Sequence, residues 1–253
     1  MSDEPEIQLP GGNVGGAVRV GSTVRRPTGP WTPAVHELLD HLTAVGLRGV
    51  PRVHGCDERG REVLDYLPGE VVPVGVVELT DAQLASAARW LRDLHEAVAG
   101  FPRSSRRWRF VERALAPGEI VCHHDPAMYN LAFDGDELVG VFDWDTAGPG
   151  HPLDDLAMLA WASPLLFPDD DAARMTHGLR VLADAYGGVD PVDLLRHVER
   201  RMTASADRIW EGQRAGDPGM LRLGERGEPA STLERLARLV ARFPELTDAL
   251  RTA

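Results

Sequence analysis

Lysine is missing from this chain of 253 residues, so all 27 of its strongly basic side chains are arginines. Any phosphate contact that other proteins make with a lysine must here be made by arginine, or not at all. Cysteine is almost missing too. Cys56 and Cys122 are too few for a disulfide framework, and they read as reduced, buried apolar residues of a cytosolic protein. Positive charge is in deficit, with a formal net charge of -12, which argues against nucleic acid as a partner. An acidic surface could attract a cationic substrate or simply keep the protein soluble. No apolar run is long enough to cross a membrane, and the opening MSDEPEIQLP is too acidic and polar for a signal peptide. No internal repeat is visible. What remains is an ordinary globular composition, 43% hydrophobic and 26% charged, and a length sufficient for a large core and two lobes.

One stretch organises the rest, Val121 to Gly148 (VCHHDPAMYNLAFDGDELVGVFDWDTAG). Leu131-Ala132-Phe133 and Leu138 to Phe142 are apolar enough to be strands. Asp134-Gly135 between them is a hairpin signal, because glycine reaches positive φ without strain. Closing the hairpin brings Asn130 at one open end to Asp143 at the other, with Asp125 in the entering loop five positions before Asn130. Two carboxylates and a carboxamide then face one small volume. Oxygen donors of this kind suit a hard divalent cation such as Mg²⁺, and a carboxylate that does not bind the metal is free to accept a proton.

His123, Asp125, Asn130 and Asp143 match the spacing of a kinase catalytic loop and metal segment. The surrounding words HHDPAMYN and FDWDTAGPGHPLDDLA resemble the aminoglycoside phosphotransferase and choline kinase superfamily. GGNVGG and TVRRPTGPW further resemble its bacterial subgroup labelled trifolitoxin-immunity-like. The resemblance implies an α+β, two-lobed protein-kinase-like fold: a small antiparallel β N-lobe over residues 1–67 and a larger, mainly helical C-lobe over 68–253. It assigns Asp125 the general-base or hydroxyl-orienting role, Asn130 and Asp143 the Mg²⁺, and ATP the role of co-substrate. His123 shapes the loop, Asp145 supports the metal carboxylate, and Asp155 anchors the loop's backbone. His124 stands where the superfamily has glycine. The segment from the metal aspartate to Asp155-Leu156-Ala157 is too short for a phosphorylatable activation loop, which argues against a switched protein kinase.

Upstream, alternation and turn residues predict a β-meander. Gly11, Gly12, Asn13, Gly15 and Gly16 form the glycine-rich loop, where backbone N–H groups could approach phosphates. The third strand ends at Arg25-Arg26, where the superfamily places a lysine. Arg26 is the candidate substitute, with Arg25 the alternative, since alternation turns only one of them inward. Thr32-Pro33 predicts a helix start, with Thr32 as the N-cap and Pro33 at N1, and Glu37 on that helix is the expected partner of the strand arginine. The resemblance gives Asp65 to Leu67 the adenine-contacting hinge. Downstream helices are expected over about 80–98, 156–166, 172–186, 192–213 and 232–242. Loops are expected around Asp217 and over Gly224–Glu228, and a solvated basic face over Arg103–Arg109. Asp169-Asp170-Asp171 reads as a helix start or as the wall of a cationic cleft.

These features describe a cytoplasmic, ATP- and Mg²⁺-dependent phosphotransferase acting on a hydroxyl of a small, antibiotic-like molecule or on Ser/Thr of a natural-product peptide. The alternative is a catalytically weakened binding or immunity protein that sequesters a ligand or supports a partner enzyme, an idea favoured by the missing lysine.

Overall fold

In the computed structural model, residues 4–9, 16–72, 78–163, 166 and 170–252 are described. The chain opens with three antiparallel strands, β1 (Ile7–Gln8), β2 (Val18–Val20) and β3 (Thr23–Arg26). Of the glycine-rich loop only Gly16 is described; Gly11, Gly12, Asn13 and Gly15 lie outside the described residues. Gly16 has φ +88°, which favours glycine, and a Cβ there would also press on the Pro27 ring at 3.3 Å. Helix α1 (Thr32–Ala44) follows, then the hairpin β4 (Val53–Cys56) and β5 (Glu62–Asp65). The resulting five-stranded sheet has the order β1-β2-β3-β5-β4, and α1 seals it with fully buried Leu38, Leu39 and Leu42.

Two local expectations fail here. Thr32 is not the helix cap: Trp31 holds that position, and the Thr32 hydroxyl accepts from the Gly29 N–H at 2.9 Å. Cys56 is exposed, because β4 is the sheet's edge and its residues 54–56 face solvent, whereas Cys122 is buried as expected.

The chain then leaves this sheet. β6 (Glu70–Val71) pairs with β10 (Leu131–Asp134), which pairs with β11 (Glu137–Val141). Asp134 and Glu137 are register partners, so the two-residue turn is Gly135-Asp136, one step later than the Asp-Gly pair suggested. Gly135 has φ +59°, the positive value a tight hairpin needs at its first central position. Before the hairpin come α2 (Asp81–Ala97), the short pair β7 (Arg106–Arg107) with β8 (Glu112–Arg113), and β9 (Ile120–Cys122), which pairs with β12 (Gly148–Gly150) beyond the hairpin. Thr80 and Gln83 cap α2 reciprocally. The same two side chains grip the hairpin turn, Thr80 Oγ1 donating to Asp136 at 2.9 Å and Gln83 Nε2 to the Gly135 carbonyl at 3.0 Å. The cap of one element thereby orients another.

The remainder is helical: α3 (Pro152–Ala162), α4 (Ala172–Tyr186), α5 (Pro191–Arg214), α6 (Pro218–Glu225), α7 (Ala230–Ala241) and α8 (Phe243–Arg251). Helices α6 and α8 stand where loop or no element was expected. Asp217-Pro218 is a cap followed by an N1 proline, a start signal that its flanking glycines obscured. Leu84, Leu91 and Leu94 of α2 bury against the hairpin and α4, and α5 packs on α3. Burying a leucine of this kind contributes on the order of 2 kcal/mol. The hairpin that carries Asn130 and Asp143 therefore rests on a fixed base. Among the described residues no helix is long and apolar enough to cross a membrane.

Candidate functional site

The loop after β9 runs into the hairpin, and Asp155 at the start of α3 pins it. Asp155 is fully buried. Its Oδ1 accepts the His124 N–H at 2.6 Å, and its Oδ2 accepts the His123 N–H at 2.9 Å and His95 Nε2 at 3.0 Å. Burial opposes its ionisation, but the hydrogen bond from His95 and the nearby histidines outweigh it and hold the carboxyl well below the usual range. His95 is in turn tied to the Tyr186 hydroxyl at 2.8 Å. His124, whose N–H is the second of the two amides that Asp155 holds, adopts φ +66°. That left-handed value explains why a glycine suits the position: any Cβ there adds about 1 kcal/mol of strain. Three bonds keep His124 in place, its N–H to Asp155, its carbonyl accepting from Arg201 NH2 at 2.5 Å, and its Nε2 donating to the Pro149 carbonyl at 3.1 Å.

His123 is buried and works inside the loop. Its Nε2 donates to the Phe142 carbonyl at 3.2 Å, its Nδ1 accepts the Asp125 N–H at 3.2 Å, and its ring packs on Trp144 with centroids 4.6 Å apart. The far strand of the hairpin thus reaches the Asp125 backbone through one imidazole. Asp125 accepts the Tyr129 hydroxyl at 2.9 Å and Asn130 Nδ2 at 2.9 Å, and the same amide nitrogen donates to the Asp125 carbonyl at 2.9 Å. Both amide hydrogens of Asn130 being engaged, its Oδ1 is left without a donor among the described residues. Burial and then the Asp143 charge push the Asp125 carboxyl up to about 7, where a proton acceptor is most useful near neutral pH.

Asp143 is 40% exposed at its side chain and sits at φ 62°, ψ 61°, a left-handed conformation that aspartate tolerates better than most residues. Together with Asn130 Oδ1 it offers hard oxygen ligands, so the residues present fit a divalent cation. Arg26 reaches across from β3. Its Nε is 2.8 Å from Glu62 Oε1, its NH1 is 3.3 Å from Asp143 Oδ1, and its NH2 bonds Asp145. Burial disfavours its charge, but Asp143, Asp145 and Glu62 outweigh that and raise its pKa. Arg25 points the other way, to Thr23 and toward Asp57 at 4.0 Å, so of the two arginines Arg26 is the one that reaches Asp143.

Two readings of the sequence are corrected. Glu37 does not meet Arg26. It lies on the outer face of α1, half exposed, and pairs with Arg106 at 2.6 and 2.8 Å. The carboxylate that meets Arg26 is Glu62 of β5, register partner of Arg26 itself, and His36 Nε2 holds its other oxygen at 2.8 Å. A carboxylate buried to 2% exposure in a cross-strand pair with arginine is a signal that strand pairing could have exposed, but helix analogy pointed elsewhere. The basic run 103–109 is not a solvated face throughout. Arg109 is buried, 3.5 Å from Asp145 and 3.1 to 3.2 Å from both oxygens of Asp217, with its guanidinium over the rings of Trp31 and Phe110. Burial raises the Asp145 pKa despite Arg26, and the carboxylate links the two arginines.

At the proposed hinge, the Asp65 side chain accepts from His54 Nε2 at 2.7 Å and the Tyr66 N–H donates to the Ser22 carbonyl at 2.9 Å. Leu67 makes no main-chain hydrogen bond among the described residues and lies over Gly140, where a Cβ would stand 3.0 Å from its own.

The sequence matches the model of the phosphotransferase enzyme family over residues 108–192, the span that holds this loop and hairpin. It is 36% identical over 200 residues to the trifolitoxin immunity protein of Rhizobium leguminosarum bv. trifolii, covering 74% of this chain and 75% of that protein. Among solved structures, the GDP complex of aminoglycoside 2'-phosphotransferase-IIIa superposes with a TM-score of 0.62 at 15% identity, over 96% of this chain and 94% of the other. The amicoumacin kinase hAmiN, solved with AMP-PNP, Ca2+ and Ami, gives 0.60 at 12% identity, over 95% and 88%. A choline/ethanolamine kinase family protein from Mesorhizobium loti gives 0.54 at 17% identity, over 94% and 92%. At these identities the solved structures establish the fold, a two-lobed kinase-like α+β architecture. The sequence relative carries the family, and the chain therefore belongs to the phosphotransferase enzyme family, in the branch that contains the trifolitoxin immunity protein.

Proposed function

We propose that this protein transfers the γ-phosphoryl group of ATP to a hydroxyl of a small molecule or peptide, in a metal-dependent reaction. The observation that carries the reading is the Asp125–Asn130–Asp143 cluster. One carboxylate is raised to about 7 and bonded to the amide nitrogen of Asn130, while the amide oxygen and a half-exposed second carboxylate are left for a cation. Asp125 orients the acceptor O–H and takes its proton. The acceptor oxygen forms a bond to the γ-phosphorus as the bond from that phosphorus to the β–γ bridging oxygen breaks, and ADP leaves. A Mg²⁺ held by Asn130 and Asp143 would neutralise charge on the phosphates when bound. Arg26 is the phosphate contact in place of lysine, its fork suited to two oxygens. Gly11 to Gly16 would close over the phosphates, and the main chain near Leu67 would receive adenine. Residues 1–67 and 68–253 are taken as the two lobes and the cytoplasm as the location.

Calorimetry with ATP and Mg²⁺ tests this. Binding in the wild type and its loss in Asp143→Ala support it, as does nucleotide turnover that Asp125→Asn lowers by about 10²-fold or more. One observation favours a second reading. Arg26 is tied to three carboxylates, Asp143 among them, so its guanidinium competes with a cation for the metal ligand. A scaffold that sequesters a ligand or supports a partner enzyme would bind no Mg·ATP in the wild type. The relative's name speaks of immunity to trifolitoxin, and either activity would serve such a role here.

A further inference from the structure

A cation that loses water on folding is normally paired, because desolvation without a counter-charge is unfavourable. Two arginines approach the ring of Phe110 and differ in this respect. Arg109 has its guanidinium carbon 5.4 Å from the ring centre, and Asp145 and Asp217 neutralise it. Arg208 of α5 is partly buried, lies 4.8 Å from the same ring centre and makes no hydrogen bond or ion pair among the described residues. Its own surroundings do not favour it. Burial and then the neighbouring Arg201 push its pKa down to about 10. The carboxylates nearest in charge are committed or remote: Asp154 to His197 at 2.8 Å and the His151 N–H at 2.8 Å, and Asp125 to Tyr129 and Asn130. Glu211 is exposed.

Arg208 also belongs to the reacting end of the site. Its charge acts on His124 and on Asp125, and Arg201, seven residues or about two turns earlier on α5, holds the His124 carbonyl. Two further polar atoms there are buried without a partner, His124 Nδ1 and Arg201 Nε. The acidic run that could have lined a cationic cleft is engaged elsewhere: Asp171 caps α4 and Asp170 pairs with Arg174, while Asp169 lies outside the described residues. The chain is acidic overall, but the wall beside its candidate base is cationic.

We propose that the acceptor is a carboxylate-bearing alcohol: Arg208 pairs with the carboxylate, Phe110 covers an apolar or aromatic portion, and the hydroxyl is directed to Asp125. This rests on the reading of Asp125 as the acceptor's end of the site, and it points away from polycationic acceptors. The test uses the full chain without nucleotide, titrated calorimetrically with 3-phenyllactate, with 3-phenyllactamide and with kanamycin. Phenyllactate is expected to bind at least about tenfold more tightly than its amide, the worth of one charge-assisted pair. Arg208→Gln should bring the acid down to the level of the amide, and Arg208→Lys should restore part of the difference. Equal binding of acid and amide, tighter binding of kanamycin, no binding of any probe, or an unaltered acid preference in Arg208→Gln overturns the proposal. Because these titrations omit ATP, their outcome is separable from the Mg·ATP measurement that tests phosphotransfer itself.

Discussion

Asp155→Asn removes one charge and no volume, so it isolates the anchor of the catalytic loop. The carboxylate accepts three hydrogen bonds, from the His123 and His124 amides and from His95. A carboxamide has one acceptor oxygen. It can serve His123 and His95 together, but its NH₂ then faces the His124 N–H, donor against donor, at a residue already strained at φ +66°. One charge-assisted bond is lost, about 1.5–3 kcal/mol, and one buried donor is left unsatisfied, about 1–3 kcal/mol. The two together predict a loss of about 2.5–6 kcal/mol, or roughly 5–24 °C in Tm for a chain of this size. Calorimetric melts and urea titrations from pH 8 to pH 4 measure it. The sign follows from the depressed pKa: the stabilisation is fully present above the unfolded value near 4 and is lost only as pH falls through the lower folded value. The gap between variant and wild type should therefore stay level from pH 8 to 5 and narrow only in acid. A variant within about 1 kcal/mol of wild type at pH 7 would refute the claim that Asp155 holds the loop.

Three other outcomes are expected. Asp125→Asn should lower kcat by about 10²–10⁴; in the metal-free wild type, carbon NMR should find this carboxyl titrating near 7, and Asp143→Asn should move it down, because the Asp143 charge is one of its causes. Glu62→Gln should destabilise by about 3 kcal/mol and weaken Mg·ATP binding, since it leaves Arg26 short of a buried partner; Glu37→Gln, which breaks only a half-exposed pair with Arg106, should cost under about 1 kcal/mol and leave ATP affinity unchanged by calorimetry. Gly150→Ala should destabilise by about 1–3 kcal/mol, because a Cβ would stand 2.6 Å from His124 Cε1, and adding His124→Gly should recover most of that in a thermal double-mutant cycle.

Much of the fold was legible because its signals are local. Alternating apolar residues and one glycine identify the hairpin, and the Thr80 capping box starts α2 where the sequence places it. Asp125 and Asn130 could be brought together for the same reason: five residues and a tight turn leave little freedom. Glu62 was missed because nothing near it in sequence says that its side chain turns inward under α1, while Glu37 looked right only by helix analogy. Arg208 was missed because it lies 83 residues from Asp125, on an amphipathic helix where any single arginine reads as solvated. Helix α6 was hidden by the glycines beside its Asp-Pro start.

Taken alone, the order of residues determined which chemistry was available: oxygen ligands, a carboxylate base and an all-arginine set of cations. Short-range sterics and hydrogen bonding specify turns, caps and strands, and those effects act within a few residues. Only the tertiary structure decided which charges meet, giving Arg26 to Glu62, Asp143 and Asp145, Arg109 to Asp217, and Arg208 to the Phe110 ring but to no ion pair among the described residues. Coulomb interactions and desolvation depend on distance and burial in space, and neither quantity is encoded by separation along the chain.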